Sequence, residues 1–346
     1  MKRVKILMVL MVISCITIQA QDAHFSRFDH IPTYINPALT GVFNGDQRGI
    51  VNYRNQWASV ASPFKTYSLS FDTRIRNKNS KNFQFGVGAF IYKDVAGDLD
   101  FGITSASGLV SGILKINNNQ KLIVGVRGAF EQRSLDNSKM IWDAQYDGTG
   151  YNSSLSSGEL TNYGSPFNFF DMGTGVSWVY GKSQSTISSN DEFYAIVGAS
   201  LNHILKPDLK YFQQENLYRN LNIYSKVNIG ISNSPYSVVP SLLVQFQGPN
   251  TEIMAGGMFR YRIKEESKYT GFFKESAVSV GAYLRYKDAI IPSLSYEIAN
   301  WQLVFSYDYN ISDLQNVSRG NGGFEVSLIF INPNPFKYGK GSAKFI

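Results

Sequence analysis

Metal binding or nucleophilic catalysis in this chain would have to be built from three histidines, His24, His30 and His203, and one cysteine, Cys15. No second cysteine or close carboxylate pair completes a metal set around the histidines. No nucleophile elbow or Ser/His/Asp spacing is visible, and no glycine-rich phosphate loop occurs. General acid–base catalysis needs a positioned base, and nothing in the spacing supplies one. The expectation is a chain that is not an enzyme and holds no metal or cofactor. The residue types left with binding chemistry are aromatic. Trp142, Tyr146 and Tyr151 stand among Asp and Asn in the long polar stretch 136–168, and large rigid rings in a polar surround can anchor a partner. The alternative for that stretch is a self-packed external cap. Phe25, Phe28 and the turn Asn36-Pro37 mark an irregular opening stretch. It reads either as a plug or periplasmic docking piece, or as an ordered lead-in packed on a barrel mouth. The second reading is preferred, because ordered termini are usually tied down by packing.

The elements that must position these residues are strands. Alternation of apolar and polar residues over about ten positions dominates the chain, and helical periodicity is nearly absent. From 121 to 133, Leu122, Val124, Val126, Gly128 and Phe130 share one face, opposite Lys121, Arg127, Glu131 and Arg133. Trp301, Leu303, Phe305, Tyr307 and Tyr309 oppose Gln302, Ser306, Asp308 and Asn310. Val278, Val280, Ala282, Leu284 and Tyr286 oppose Ser279, Arg285 and Lys287. Eleven further segments fall near 48–57, 65–75, 83–93, 101–116, 169–181, 192–202, 222–232, 237–248, 251–263, 289–299 and 323–331. The total is about 14 strands, an even number of membrane-crossing length. The polar faces carry both signs of charge, and tyrosines and tryptophans gather near strand ends. These features predict an all-β fold, a transmembrane antiparallel β-barrel, over a soluble sandwich or propeller, whose strands are shorter. Arg127 and Arg285 fall on the lumen face and should tolerate conservative change. Pro240 and Pro292 should mark bulges or strand ends. With the first strand running outward, 136–168 and 204–221 are long external loops, while 264–275 and Lys287-Asp288 break the usual rule of short inner and long outer connections.

The first 20 residues read as an export signal. Lys2, Arg3 and Lys5 precede an apolar run from Ile6 to Ile18, and Ala20 offers the cleavage position. Cys15 lies inside that run, so a mature chain starting at Gln21 has no thiol chemistry; a lipoprotein reading through Cys15 is weak because bulky Ile13 precedes it. Losing the signal takes the net charge from +7 to +4. The remaining basic residues are spread along the strands, which gives no nucleic-acid footprint. The resulting division is 1–20 signal peptide, 21–47 periplasmic or plug segment, 48–330 barrel and 331–346 tail.

Several motifs carry a resemblance. Phe25-Ser26-Arg27-Phe28, Tyr34-Ile35-Asn36-Pro37-Ala38-Leu39-Thr40-Gly41, Tyr53-Arg54-Asn55-Gln56-Trp57 and Phe64 to Asp72 open the mature chain. Trp142 to Gly148, Ser157-Gly158-Glu159 and Phe170-Asp171-Met172-Gly173-Thr174-Gly175 stand at its centre. Ser306 to Asn310 and Gly322 to Leu328 close it. In this order and spacing they resemble the PorP/SprF family of type IX secretion proteins of the outer membrane. The resemblance implies an outer-membrane, lipid-embedded component whose partners are a secreted cargo or adhesin with a C-terminal type IX signal domain, or periplasmic ring or lipoprotein components. A passive porin or solute channel is the alternative, and the state of the lumen separates the two.

Overall fold

The structure is a computed structural model. It describes residues 22, 24–60, 62–76, 82–158, 166–182, 190–209, 215–264, 275–313 and 315–332. The expected signal peptide and the tail beyond Asn332 lie outside the described residues, as does Glu159.

Alternation at every second position leaves each segment one apolar and one polar face, and a sheet so patterned closes on itself when lipid lies outside. Seven strands come first: β1 (Gln47–Gln56), β2 (Phe64–Arg76), β3 (Phe83–Ala96), β4 (Phe101–Lys115), β5 (Gln120–Ser134), β6 (Phe167–Lys182) and β7 (Phe193–Asn202). A two-stranded ribbon, β8 (Asp208–Leu209) with β9 (Glu215–Asn216), stands in the next loop. Seven more strands follow: β10 (Asn220–Gly230), β11 (Tyr236–Gln247), β12 (Asn250–Lys264), β13 (Ser276–Arg285), β14 (Ala289–Ile298), β15 (Trp301–Asn310) and β16 (Asn321–Asn332). All but β8 and β9 form a closed antiparallel barrel of 14 strands in sequence order, with β1 against β16 from Gln47↔Asn332 to Gln56↔Gly323. The sequence had placed all 14; the ribbon β8–β9 is too short to register as a period.

The end carrying the start of β1 and the finish of β16 is called the inner end, and the opposite end the outer. Loops 135–166 and 203–219 both leave the outer end. Leu303, Phe305 and Tyr309 point outward, while Val304, Ser306, Asp308 and Asn310 are buried in the lumen. Ring pairs band both ends: Tyr53–Tyr67 and Trp57–Phe64 at the outer, Trp301–Phe330 and Phe83–Phe85 at the inner, with centroids 4.7–5.0 Å apart. Such rings suit the two membrane interfaces. Pro240 and Pro292 do not end their strands. Each sits outward within a strand and interrupts the ladder on one side, β10–β11 and β14–β15 respectively, where proline has no N–H to give.

Candidate functional site

The opening stretch does not sit on the mouth of the barrel. Residues 22 and 24–46 run through the lumen, from Asp22 beside the outer ends of β7, β10 and β11 to Asp46 beside Asn332 at the inner end. Short helical turns at Phe28–His30, Pro32–Ile35 and Pro37–Leu39 shape it. The prolines cannot join a strand ladder, so this stretch stays a separate body inside the sheet.

Its inner half is moulded to glycines. A Cβ on Gly125 would lie 2.5 Å from the Pro37 carbonyl oxygen, and one on Gly86 would lie 2.7 Å from the Thr40 carbonyl carbon. A Cβ on Gly175 would lie 2.7 Å from Asn36 Cγ. Only a residue without a side chain lets the plug backbone come so close. The Asn36 amide donates toward the carbonyls of Val176 and Ala199, each at 3.1 Å, and toward Ser177 Oγ at 3.2 Å. Its carbonyl oxygen accepts from the Ala38 N–H at 2.8 Å, which caps the following turn. Asp72 accepts from the Gly41 N–H at 2.7 Å and pairs with Arg48 through two bonds of 2.8 and 2.9 Å. The Asn36 and Gly175 motifs, far apart in sequence, are therefore two faces of one contact.

The outer half is held by charge. Glu325 accepts from the Ser26 N–H at 2.7 Å, Arg285 donates to the Phe25 carbonyl at 3.2 Å, and Arg54 donates to the His24 carbonyl. Arg54 and Arg285 share Asp308 at 2.9 and 3.2 Å, and His24 meets Glu252 at 2.8 Å. Within the plug Arg27 grips Asp29 through two bonds, and Lys226 approaches the same carboxylate at 3.4 Å. His30, buried among these charges, lies 3.7 Å from the Asp29 carboxylate. Phe25, Phe28, Ile31 and Ile35 are buried apolar anchors, and Tyr34 packs against Phe25, Phe90 and Tyr92 with centroids 5.3–5.8 Å apart.

At the tip, Asp22 meets His203 Nε2 at 2.8 Å and accepts from Asn220 Nδ2 at 2.9 Å. His203 Nδ1 lies 3.1 Å from Asp171, which also pairs with Arg127 at 3.1 Å. Burial lowers the affinity of His203 for a proton, yet Asp22 and Asp171 outweigh it and lift the imidazole to about 10. Asp22, though buried, is held below the carboxylate range by His203. Charges so enclosed correct one expectation. Arg127 and Arg285 face the lumen as expected but are both buried there; Arg285 spreads its fork over Asp288 and Asp308, a geometry Lys cannot copy, whereas Arg127 makes one contact to Asp171. A half-open pocket with a cavity volume of about 70 Å³ remains beside the plug toward the inner end, between Arg27, Lys226 and Arg260 and the apolar group Phe43, Ile50, Ile329 and Ile331.

The sequence-predicted residues separate into two groups. Phe25, Phe28, Asn36 and Pro37 come together in the lumen. Trp142, Tyr146 and Tyr151 lie apart from them in the outer loop 135–166, of which 159–165 lie outside the described residues. Tyr146 and Tyr151 bridge as a miniature hairpin and stay 62 % and 49 % exposed, whereas Trp142 is half-buried before the turn Asp143–Gln145. Buried Gln145 donates to the Leu155 carbonyl at 3.2 Å and ties the loop to itself. Sequence reasoning missed Gly86, Gly125, Gly175, Asn220 and the role of His203. The signal was a glycine at lumen-facing positions where the neighbouring repeats carry polar side chains.

Among the described residues no group of three or more His, Cys, Asp or Glu is arranged to hold a metal ion, and no helix is long and apolar enough to cross a membrane. The sequence profile of the family described as type IX secretion system membrane protein PorP/SprF matches residues 17–330. No curated protein matches the chain. Among solved structures, a Pseudomonas aeruginosa FadL homologue is 10% identical with a TM-score of 0.49, over 85% of this chain and 92% of that one. The Ralstonia pickettii toluene transporter TbuX is 11% identical with a TM-score of 0.46, over 86% and 92%. The Pseudomonas putida toluene transporter TodX is 8% identical with a TM-score of 0.44, over 89% and 93%. Likeness at this level carries no argument about what the present chain binds.

Proposed function

Because the chain belongs to the type IX secretion system membrane protein PorP/SprF family, we propose that it works in the outer membrane as a non-enzymatic partner protein, delivered there by a cleaved signal peptide. Its outer loops hold a secreted cargo or adhesin through the cargo's C-terminal type IX signal domain. Its inner end, facing the periplasm, meets ring or lipoprotein components of the secretion machine.

The observation that carries this reading over a passive porin is the occupied lumen. A solute channel needs a continuous aqueous path, and here residues 22 and 24–46 occupy the lumen along its length, most of their side chains buried among the strands. What the barrel offers other molecules is then its two ends, and the outer end carries the exposed rings of Tyr146 and Tyr151.

The test is mild cross-linking of native membranes, detergent extraction and identification of what purifies with the barrel, alongside conductance of the purified protein in planar bilayers. The expected result is a secreted protein with a C-terminal signal domain among the partners, and no steady conductance. A partner-free barrel with steady ohmic conductance would replace the proposal with the porin reading.

A further inference from the structure

Both long outer loops have their roots at one ionic cluster, and the tip of the plug completes it. His203 is the first residue after β7, and Asn220 is the first of β10, so the two bracket loop 203–219. The ladder sets Asn202 opposite Asn220. Asp22 takes the next step outward and joins His203 to Asn220 through one carboxylate oxygen, at 2.8 and 2.9 Å. On its other side His203 reaches Asp171, near the start of β6, where loop 135–166 rejoins the wall. Arg133, fully buried near the end of β5 where that loop departs, adds its field to Asp22. Asp22, His203, Asn220 and Asp171 are all buried. His203 keeps a left-handed backbone, φ 55°, which a non-glycine residue holds only when its surroundings fix it.

We propose that the plug tip is a positioning element for the outer surface: Asp22 fixes loop 203–219 through His203 and Asn220, and loop 135–166 through His203 and Asp171, so that a protein partner is held only while the tip is seated. The proposal rests on the reading that cargo docks on these loops. It assigns the lumen segment a role beyond filling space, since a filler would not need a buried carboxylate, Asp22, placed against the root of a loop.

The test uses trypsin on the purified barrel, for which Lys139, Lys210 and Arg219 offer sites in the two loops, together with surface cargo level and heat-modifiable migration. Asp22→Asn and His203→Gln should each speed loop cleavage about tenfold, as expected when a local opening becomes easier, while the barrel still migrates as folded and cargo falls. The exchange Asp22→His with His203→Asp should restore slow cleavage, which simple loss of packing would not. Unchanged cleavage in both single variants overturns the clamp. Faster cleavage with normal cargo keeps the clamp and removes cargo docking. If the single variants do not form a barrel, Asp22→Cys with Asn220→Cys decides. The oxidised pair should protect the loops and the reduced pair release them, and equal rates overturn the clamp.

Discussion

Gly125→Ala is the sharpest probe of the plug. A methyl there would lie 2.5 Å from the Pro37 carbonyl oxygen, with the Ala38 nitrogen and Pro37 carbonyl carbon as its other nearest atoms. Backbone cannot swing aside as a flexible side chain can. Ordinary contact begins near 3.4 Å, so the plug must retreat by about 1 Å, in a core where overpacking typically costs about 1–3 kcal/mol. The retreat also lengthens the Asn36 hydrogen bonds to Val176 and Ala199 beyond useful range, and two such bonds contribute about 1–3 kcal/mol together. The sum is about 2–6 kcal/mol. The control is Gly108→Ala, on the outward face of β4, where a Cβ would meet nothing within 4 Å. Reversible urea unfolding into lipid vesicles measures both. Equal midpoints for the two variants, within about 0.5 kcal/mol, would refute the moulded slot and with it the account of why glycines occupy these lumen positions.

Val126→Arg and Leu284→Arg place a charge on the lipid face and should each lower barrel yield, at a cost of about 2–4 kcal/mol near the midplane; normal assembly would reverse the assignment of faces. Arg127→Gln removes one of the two ionic partners of Asp171 and leaves it His203, so it should cost about 1–3 kcal/mol by the same unfolding assay. Tyr146→Ala with Tyr151→Ala removes two exposed rings and should reduce surface cargo without changing heat-modifiable migration, whereas Trp142→Ala, half-buried, should also loosen the loop to protease. For pH, His203 is raised from 6.5 to about 10, so its contribution is complete below 6.5 and fades as pH climbs through 10. Asp22 is lowered, so its contribution is complete above 3.8 and fades as pH falls further. Asp22, Asp171 and Glu131 act on the ring in wild type, while Arg133 acts on Asp22 and Arg127 on Asp171 and Glu131. Amide exchange at the roots of the two loops should therefore be slowest between pH 3.8 and 6.5 after correction for intrinsic rates, and His203→Gln should abolish the rise in opening above that window.

The wall was legible because period two is a local signal repeated fourteen times, and each strand reports its two faces without knowledge of its neighbours. Lys121 to Arg133 shows this: every second residue predicted its side correctly. The lumen was not legible for the opposite reason. Asn36 finds Ser177 and Tyr224 at sequence separations of 141 and 188, and Asp22 finds Asn220 at 198. No periodicity carries such pairings, and the preference for packing on the mouth failed because a mixed-charge lumen looks wet until its partners are counted. The motifs behind the resemblance were visible, but their purpose was not. Asn36 belongs to the plug, Gly175 and Glu325 touch it directly, Asp308 reaches it through Arg54 and Arg285, and Asp171 reaches it through His203. The exposed tyrosines of loop 135–166 were readable as exposed because the residues around them are polar.

The path of residues 22 and 24–46 also dictates an order of events during biogenesis. The segment begins at the outer end and finishes at the inner end, where β1 starts. A finished cylinder could accept it only by dragging Asp22, Arg27 and Asp29 lengthwise past close-fitting walls, in at the inner end and out toward the far one. The wall must instead be rolled around the segment, as sheet metal is rolled on a mandrel. The seam between β1 and β16 is then the last ladder to zip, and Arg54 on one side of it and Glu325 on the other already hold the mandrel when it does. Assembly factors that handle this chain receive a sheet with its core supplied.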